Sequence, residues 1–127
     1  DDFIVIACGG GGVPVTKDSH GDFHGVSAVV DKDFSAAKLA ELVDAEYLFI
    51  LTAVDHVAIN YGKPNQKELQ EMTLAEAERY CAEGQFAPGS MLPKVQAAMN
   101  FVKSGKGRKA IIASLAIEGK RGTVIHM

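Results

Sequence analysis

The sequence predicts an α/β fold, with a mainly parallel sheet covered by helices on both faces in a three-layer α/β/α arrangement. The first observation is a set of apolar runs of strand length, as in strands that are buried on both faces. These runs are residues 3–8, 26–30, 47–52 and 110–114. The second observation is that segments with apolar residues at helical spacing alternate with the runs. These segments are residues 34–43, 73–83 and 93–103.

The first run, residues 3–8, leads into four consecutive glycines. A short edge strand is predicted at residues 13–16, and the turn residues in 17–25 predict a hairpin or an exposed loop. Four glycines in a row cost much backbone entropy, so we interpret them as a place where the chain approaches a ligand closely. These glycines are Gly9, Gly10, Gly11 and Gly12.

The middle of the chain contains the second strand, residues 47–52, and a short strand at 57–59. Gly62 and Pro64 make residues 61–66 a loop. Its aromatic residue, Tyr61, could face a nucleobase, although a rigid turn with a packed tyrosine is an equal alternative.

The last third begins with a capping-box match, Thr73 and Glu76, which opens a helix to about residue 83. Ser90 can cap the final helix, because proline is tolerated in the first turn that follows. The remaining strands are residues 110–114 and, at the edge of the sheet, 123–125.

The composition indicates one soluble globular domain over residues 1–127. Of the 127 residues 47% are apolar and 23% charged, and the formal net charge is −3. There is no basic stripe for nucleic acid and no run long enough to cross a membrane. Cys8 and Cys81 are interpreted as buried thiols of a reducing compartment, which predicts a cytoplasmic protein. Because an apolar strand begins at residue 3, we expect the chain to be a fragment of a longer protein.

Two lysines stand where helices begin, at Lys32 and Lys94, although the helix dipole disfavours a cation there. Each alone is expected to be a solvated side chain, with Asp33 as an N-cap or a surface ion-pair partner. Together, two helix starts that present lysine predict a clamp for phosphate. The four histidines lack metal-ligand spacing, so no protein zinc site is predicted, and His56 is expected to be an exposed turn residue.

Six strings, in order along almost the whole chain, resemble the C-terminal half of the carbamate kinases, within the amino-acid kinase superfamily. Two of them, Asn60-Tyr61-Gly62-Lys63-Pro64 and Gly89-Ser90-Met91-Leu92-Pro93-Lys94-Val95, are specific to that family. The other strings are residues 9–15, 29–34, 51–55 and 122–125.

The resemblance implies the C-terminal nucleotide-binding lobe of the amino-acid kinase fold. It implies reversible phosphoryl transfer between ATP and carbamate, with ADP and carbamoyl phosphate on the other side and Mg²⁺ bound through the nucleotide rather than the protein. It also implies a homodimer for the full-length protein. Lys32 and Lys94 would neutralise the transferring phosphoryl group, Asp33 would orient them, and the glycine run would lie near the cleft. The implied nucleotide-binding residues are Thr52, Val54, Asp55, Tyr61, Lys63, Pro64, Gly89, Ser90 and Met91.

The chain departs from the family pattern at three places. Ala53 stands where the family commonly has Asp, His56 where it commonly has Gly, and the segment 115–119 is shorter than usual. The family's N-terminal half, which supplies another phosphate-binding lysine, has no counterpart here, so the isolated chain is expected to be inactive. Two alternatives stay open: a kinase of the same superfamily with a different acceptor, and a non-catalytic nucleotide-binding fragment.

Overall fold

The computed structural model describes residues 3–115 and 122–127, and a four-stranded mixed sheet forms its centre. In chain order the elements are β1 (Val15–Lys17), β2 (Phe23–Gly25), α1 (Lys32–Leu42), β3 (Tyr47–Thr52), β4 (Val57–Ile59), β5 (Lys67–Leu69), β6 (Glu71–Thr73), α2 (Leu74–Ala82), α3 (Met91–Lys103), β7 (Lys109–Ser114) and β8 (Gly122–His126).

The strand order of the central sheet is β3-β7-β8-β6. The pairs β3–β7 and β6–β8 are parallel, whereas β7 and β8 are antiparallel. An α/β fold is therefore confirmed, with a mixed sheet in which two of three pairings are parallel. Strand β8 lies between β7 and β6, so the prediction that residues 123–125 form an edge strand is wrong.

One face of the sheet carries the core. Helices α1 and α3 pack side by side on it, and α2 packs against α3 and the β6–β8 end. The side chains of Leu48 and Ile50 from β3 and of Ile112 from β7 are buried under Val95 and Phe101 of α3. Burial of each such side chain contributes about 1.5–3 kcal/mol, which holds the start of α3 in place over the strands.

The opposite face of β3 is open. Tyr47, Phe49 and Leu51 alternate with the buried residues and are more than half exposed. The prediction that this strand is buried on both faces is therefore wrong for the described residues. They form two layers, and the third layer of the predicted sandwich is not among them.

Two apolar segments predicted as strands are irregular. Residues 3–8 form no strand and are exposed, with Ile4 and Ile6 almost fully accessible, and residues 26–30 likewise pair with no strand. A strand requires a continuous partner for its backbone groups. The Val26 N–H donates to the Pro14 carbonyl at 3.1 Å, but no strand of the described chain runs beside either segment. Cys8, which was predicted to be buried, is exposed, and Cys81 is half-buried.

The two hairpins are short. Strands β1 and β2 pair antiparallel, which confirms the hairpin predicted within residues 17–25. Strand β4 was predicted, but its antiparallel partner β5 and the following β6 were not.

The N-terminal caps of α2 and α3 differ. The capping box of α2 is confirmed: the Glu76 N–H donates to the Thr73 hydroxyl, and the Thr73 N–H donates to the Glu76 carboxylate at 2.9 Å. Ser90 occupies the N-cap position of α3 but its side chain makes no capping hydrogen bond, so that prediction is wrong. Most of the short segment 115–119 lies outside the described residues. No helix in the described part of the chain is long and apolar enough to span a membrane.

Candidate functional site

An ion pair joins the first turns of α1 and α3. Lys94 Nζ lies 2.8 Å from Asp33 Oδ2, and the two side chains are only 16% and 13% exposed. The N-cap of α1 is Asp31, whose Oδ1 accepts the Asp33 N–H at 2.8 Å. The interpretation of Asp33 as a cap is therefore wrong. Because Asp31 caps the helix, the Asp33 carboxylate is free to reach across to α3.

The pairing explains how a cation is kept at a helix start. Lys94 stands in the first turn of α3, where the partial positive charge of the helix opposes it. Asp33 offsets that repulsion at short range and in a largely shielded place, where charges interact more strongly than in water. The result is an ammonium group held at a fixed position instead of a mobile surface lysine.

The glycine segment lies beside this pair. Ala7, Cys8, Gly9 and Gly11 line a cleft of about 240 Å³ with Lys32, Asp33, Ala36 and residues 49–51 of β3. The Ser35 hydroxyl donates to the Gly11 carbonyl at 2.7 Å, which fastens the segment to the start of α1.

Gly11 is required by this contact. Its φ is +121°, and a Cβ there would lie 3.0 Å from the Val30 carbonyl oxygen and 3.3 Å from the Ser35 hydroxyl. The close approach leaves backbone, a helix N-terminus and Lys32 around one cleft, an arrangement that favours an anion.

A second cavity, of about 170 Å³, lies between the β4–β5 hairpin and the start of α3. Its walls are mostly apolar, and it receives four of the predicted nucleotide-binding residues. The lining residues are Val54, His56, Ala58, Tyr61, Gln85, Phe86, Ala87, Ser90 and Met91.

The first turn of α3 joins the two places. Met91 lines the apolar cavity, and Lys94, three residues later and so on the same side of the helix, reaches Asp33 beside the glycine cleft. Three residues of helix span about 4.5 Å. An apolar cavity and an anion-favouring cleft are therefore neighbours connected by one helical turn.

Not all of the predicted residues line either cavity. Thr52 ends β3, where its carbonyl accepts the Leu115 N–H, and Asp55 follows it. Lys63 lies in the exposed turn that the Asn60 carbonyl closes by accepting its N–H. The other predicted residues outside the two linings are Lys94, Pro64, Gly89, Gly10 and Gly12, of which Lys94 reaches the cleft only through its contact with Asp33.

Five residues that line the apolar cavity were not predicted from the sequence, and His56 is the most informative of them. The other four are Ala58, Gln85, Phe86 and Ala87. His56 was expected to be exposed, but its side chain is 15% exposed and its Nδ1 is buried 3.3 Å from Glu68 Oε2 without hydrogen-bond alignment. A buried unpaired nitrogen costs about 1–3 kcal/mol, so a partner is expected in the working protein. Gln85 and Phe86 follow the end of α2. Only Phe86 carried a signal in the sequence, because an aromatic side chain just after a helix indicates packing at that point.

Side-chain hydrogen bonds hold the hairpin that carries His56. The Thr123 hydroxyl, fully buried on β8, accepts the Val57 N–H at 2.8 Å and donates to the Leu69 carbonyl. The Gln85 side-chain oxygen accepts the Asn60 N–H at 3.0 Å at the far end of β4. The cavity wall is thereby tied to the central sheet on one side and to the end of α2 on the other.

Comparison with known proteins identifies the family. The model of the amino acid kinase family matches residues 1–114. The chain belongs to the amino acid kinase family. It is 60% identical to the carbamate kinase of Clostridium perfringens, over 97% of this chain and 40% of that protein. It is 57% identical to carbamate kinase 1 of Enterococcus faecium, over 91% of this chain and 36% of that protein.

A solved structure of the family has the same fold. The carbamate kinase of Giardia lamblia bound to AMP-PNP superposes with a TM-score of 0.84 at 42% identity, over 92% of this chain and 42% of that chain. The chain thus spans about 40% of the length of the relatives that it matches.

Proposed function

We propose that this chain is the nucleotide-binding part of a phosphotransferase that transfers a phosphoryl group reversibly between ATP and carbamate. In one direction ADP and carbamoyl phosphate give ATP, ammonia and carbon dioxide. The observation that carries the proposal is the Asp33–Lys94 pair, which fixes a cation between an apolar cavity and a glycine-lined cleft. Relatives of 50–60% identity named carbamate kinases support the choice of carbamate.

The two cavities suit the two ends of a nucleotide. The base enters the apolar cavity, where Val54, Tyr61 and Met91 contact its faces and Ser90 lies at the rim. The phosphates extend toward the cleft beside the glycine segment. A relative bound to AMP-PNP, with the same fold, supports a nucleotide at this lobe. The predicted residues outside the linings, including Thr52 and Lys63, are proposed to contact ribose and phosphates.

The catalytic task of this lobe is electrostatic. In phosphoryl transfer the protein mainly positions the reactants and stabilises charge on the transferring group. Lys94 and Lys32 are proposed to face that group from the starts of two helices, with Asp33 as the residue that holds Lys94. A lysine fixed before the substrate binds spends no energy on reorganisation during the reaction.

Magnesium is proposed to arrive with the nucleotide. Within residues 3–115 and 122–127 no group of three or more His, Cys, Asp and Glu side chains could hold a metal. Mg²⁺ commonly binds through substrate phosphates with one or two carboxylates, and such a site does not need three protein ligands in one cluster. When bound, the ion neutralises charge on the β- and γ-phosphates.

Three broader features are proposed with this function. The full-length protein is proposed to be a cytoplasmic homodimer, and its sheet to be covered on the second face to complete three layers. The open face of β3, with Phe49 and Leu51 more than half exposed, supports the third layer.

A hybrid protein tests the function directly. This chain replaces the matching 40% of the Clostridium perfringens carbamate kinase, its 60% identical relative, and ATP formation from ADP and carbamoyl phosphate is measured. We expect turnover near that of the parent enzyme, and a panel of acceptors identifies any other substrate. A folded hybrid that binds ADP but transfers to another acceptor, or to none, contradicts the assignment to carbamate.

Lys94→Ala in that hybrid tests the proposed clamp. Loss of a preorganised electrostatic contact of this kind costs on the order of 100-fold or more in kcat. Lys38→Ala is the matched control, since Lys38 is an exposed α1 lysine paired with Glu41 at 2.7 Å. Equal kcat values for the two variants would remove Lys94 from the mechanism.

A further inference from the structure

We propose that His56 makes the apolar cavity selective for adenine over 6-oxopurines, by accepting a hydrogen bond from the 6-amino group at Nε2. The inference rests on the proposed function, because it requires a nucleotide base in this cavity.

The position of the imidazole carries the argument. His56 lines the cavity, is mostly covered, and directs Nδ1 toward Glu68 at 3.3 Å. Within the described residues, Nδ1 is the one buried side-chain nitrogen or oxygen without a hydrogen-bond partner. Glu68 is 63% exposed and can shift slightly to align with it.

The carboxylate determines which tautomer is favoured. An ionised Glu68 only accepts hydrogen bonds, so it favours the proton of a neutral His56 on Nδ1. In that tautomer Nε2 carries the lone pair of the ring, and it is the acceptor that the proposal assigns to the base. Glu68 is thus a positioning residue, which acts on the ligand through His56.

The other polar side chains of the wall are less suited to read a base. Ser90 is exposed, and its hydroxyl can donate as well as accept, so it does not discriminate between the two groups. Gln85 already accepts from the Asn60 N–H, and its amide nitrogen lies 3.4 Å from a Glu83 oxygen. Tyr61 is 71% exposed. The apolar walls contact the flat face that every base has, so they give affinity with little discrimination.

The selectivity follows from donor and acceptor matching. Adenine presents a donor at its 6-position, whereas hypoxanthine and guanine present a carbonyl oxygen there. When two acceptors face each other in a site shielded from water, neither finds a hydrogen-bond donor and both stay unpaired. Rejection is strong when a site is built for a hydrogen bond and the ligand cannot form that bond. An apolar site rejects a ligand of the wrong shape less strongly.

The test compares ADP with IDP, which differ at the 6-position and in the proton that hypoxanthine carries on the neighbouring N1. Dissociation constants are measured by titration calorimetry on the complete 127-residue chain, and KM values on the hybrid protein. We expect the unmodified chain to favour ADP by about tenfold, the scale of one hydrogen bond. His56→Leu is expected to bring the ratio close to one and Glu68→Gln to lower it, while His20→Leu, in the exposed β1–β2 turn, keeps it unchanged.

A second measurement does not depend on a folded variant. Ring nitrogen-15 shifts of His56 in the unmodified chain, at alkaline pH, should indicate a protonated Nδ1, and ADP should move the Nε2 signal more than IDP does. If ADP binds and neither the ratio nor the Nε2 signal responds, His56 is only a structural tie of the hairpin and the inference is overturned while the proposed function stands. If no nucleotide binds to the chain or the hybrid, both fail.

Discussion

The Asp33–Lys94 pair shows how one contact can serve both stability and a site. Each side chain is mostly shielded from water, and each is at a helix start, where the carboxylate is favoured and the ammonium is not. Removal of the Asp33 carboxylate and removal of the Lys94 ammonium should therefore affect the stability of the protein to different extents. Loss of the aspartate leaves a shielded cation facing the positive end of α3, whereas loss of the lysine leaves a carboxylate at the favourable end of α1.

This inequality gives a stability prediction. Asp33→Asn is expected to lower the free energy of unfolding by about 2 kcal/mol, the scale of a hydrogen bond between charged groups, because it leaves Lys94 uncompensated. Lys94→Met is expected to cost less, and the double variant less than the sum of the two. Urea unfolding of the four proteins measures the coupling as a double-mutant cycle. Additive effects would mean that the two charges do not interact appreciably in solution.

The two cysteines differ in exposure, so their reactivity should differ. Burial, and to a lesser extent the nearby Glu78 carboxylate, raises the pKa of the Cys81 thiol, whereas Cys8 is exposed in the glycine turn. Because the thiolate is the reactive form, alkylation near neutral pH should modify Cys8 first and Cys81 much more slowly. Mass spectrometry over time measures the two steps, and Cys8→Ser should remove the fast one. Equal rates at both cysteines would contradict the structure around α2.

At the scale of elements, the capping box of α2 gives a pH-dependent prediction. Hydrogen bonds from the Thr73 N–H and hydroxyl lower the pKa of Glu76 below its ordinary value of 4.5. A carboxyl whose pKa is lower in the folded protein stabilises it above pH 4.5, and that contribution disappears as the pH falls through the folded value. Glu76→Gln should therefore reduce stability at neutral pH and weaken the loss of stability on acidification below about pH 4.5.

Thr73→Ala tests the same cap from its other side. Loss of an N-cap hydroxyl costs about 1 kcal/mol, because one helix N–H loses its partner. Thr16→Ala, on the exposed strand β1, is the control and should be nearly neutral. Thermal and urea unfolding at neutral pH compare the two. An equal effect in both would show that the box does not persist in solution.

The elements also show what the sequence could predict. Helix α1, strands β3 and β7 and the cap of α2 follow from local patterns, and all are present. Residues 3–8 have the same apolar pattern as β3 but form no strand, because pairing is a property of two segments and a local pattern describes one. Strands β5 and β6 carry Lys and Glu and have no strand pattern of their own. Strand β5 exists through pairing with β4 in the same hairpin, and β6 through pairing with β8, which lies far along the chain.

The candidate site was predictable to a similar extent. The two lysines and the cavity residues Tyr61 and Met91 could be predicted as site residues from the sequence motifs that contain them. The burial of His56 could not, since it depends on Glu68 across the hairpin and on Thr123 of β8, which fixes that hairpin to the sheet. The place of His56 in the cavity wall can be recognised only when these distant partners are known.

At the scale of the whole molecule, the described chain is covered on one side only. Helices pack on one face of the sheet, while Phe49 and Leu51 on the other face and the segment 3–8 remain exposed. Tyr47 and Phe49 stack on each other at 6.4 Å without a helix above them. Contiguous apolar surface of this kind marks an interface or promotes association.

This surface leads to a prediction about the 127-residue chain by itself. We expect it to self-associate, because burial of the open sheet face and of an unpaired apolar segment stabilises contacts between copies. Phe49→Lys with Ile4→Lys should reduce the association in sedimentation velocity, because both place a charge in the contact. Phe23→Lys is the control, since Phe23 is equally exposed but lies on the separate β1–β2 hairpin. In the hybrid, the part that comes from the Clostridium perfringens enzyme should cover the open sheet face. Association of copies through this face should then disappear. A chain that stays monomeric at high concentration without these substitutions would mean that the apolar face is covered from within the chain.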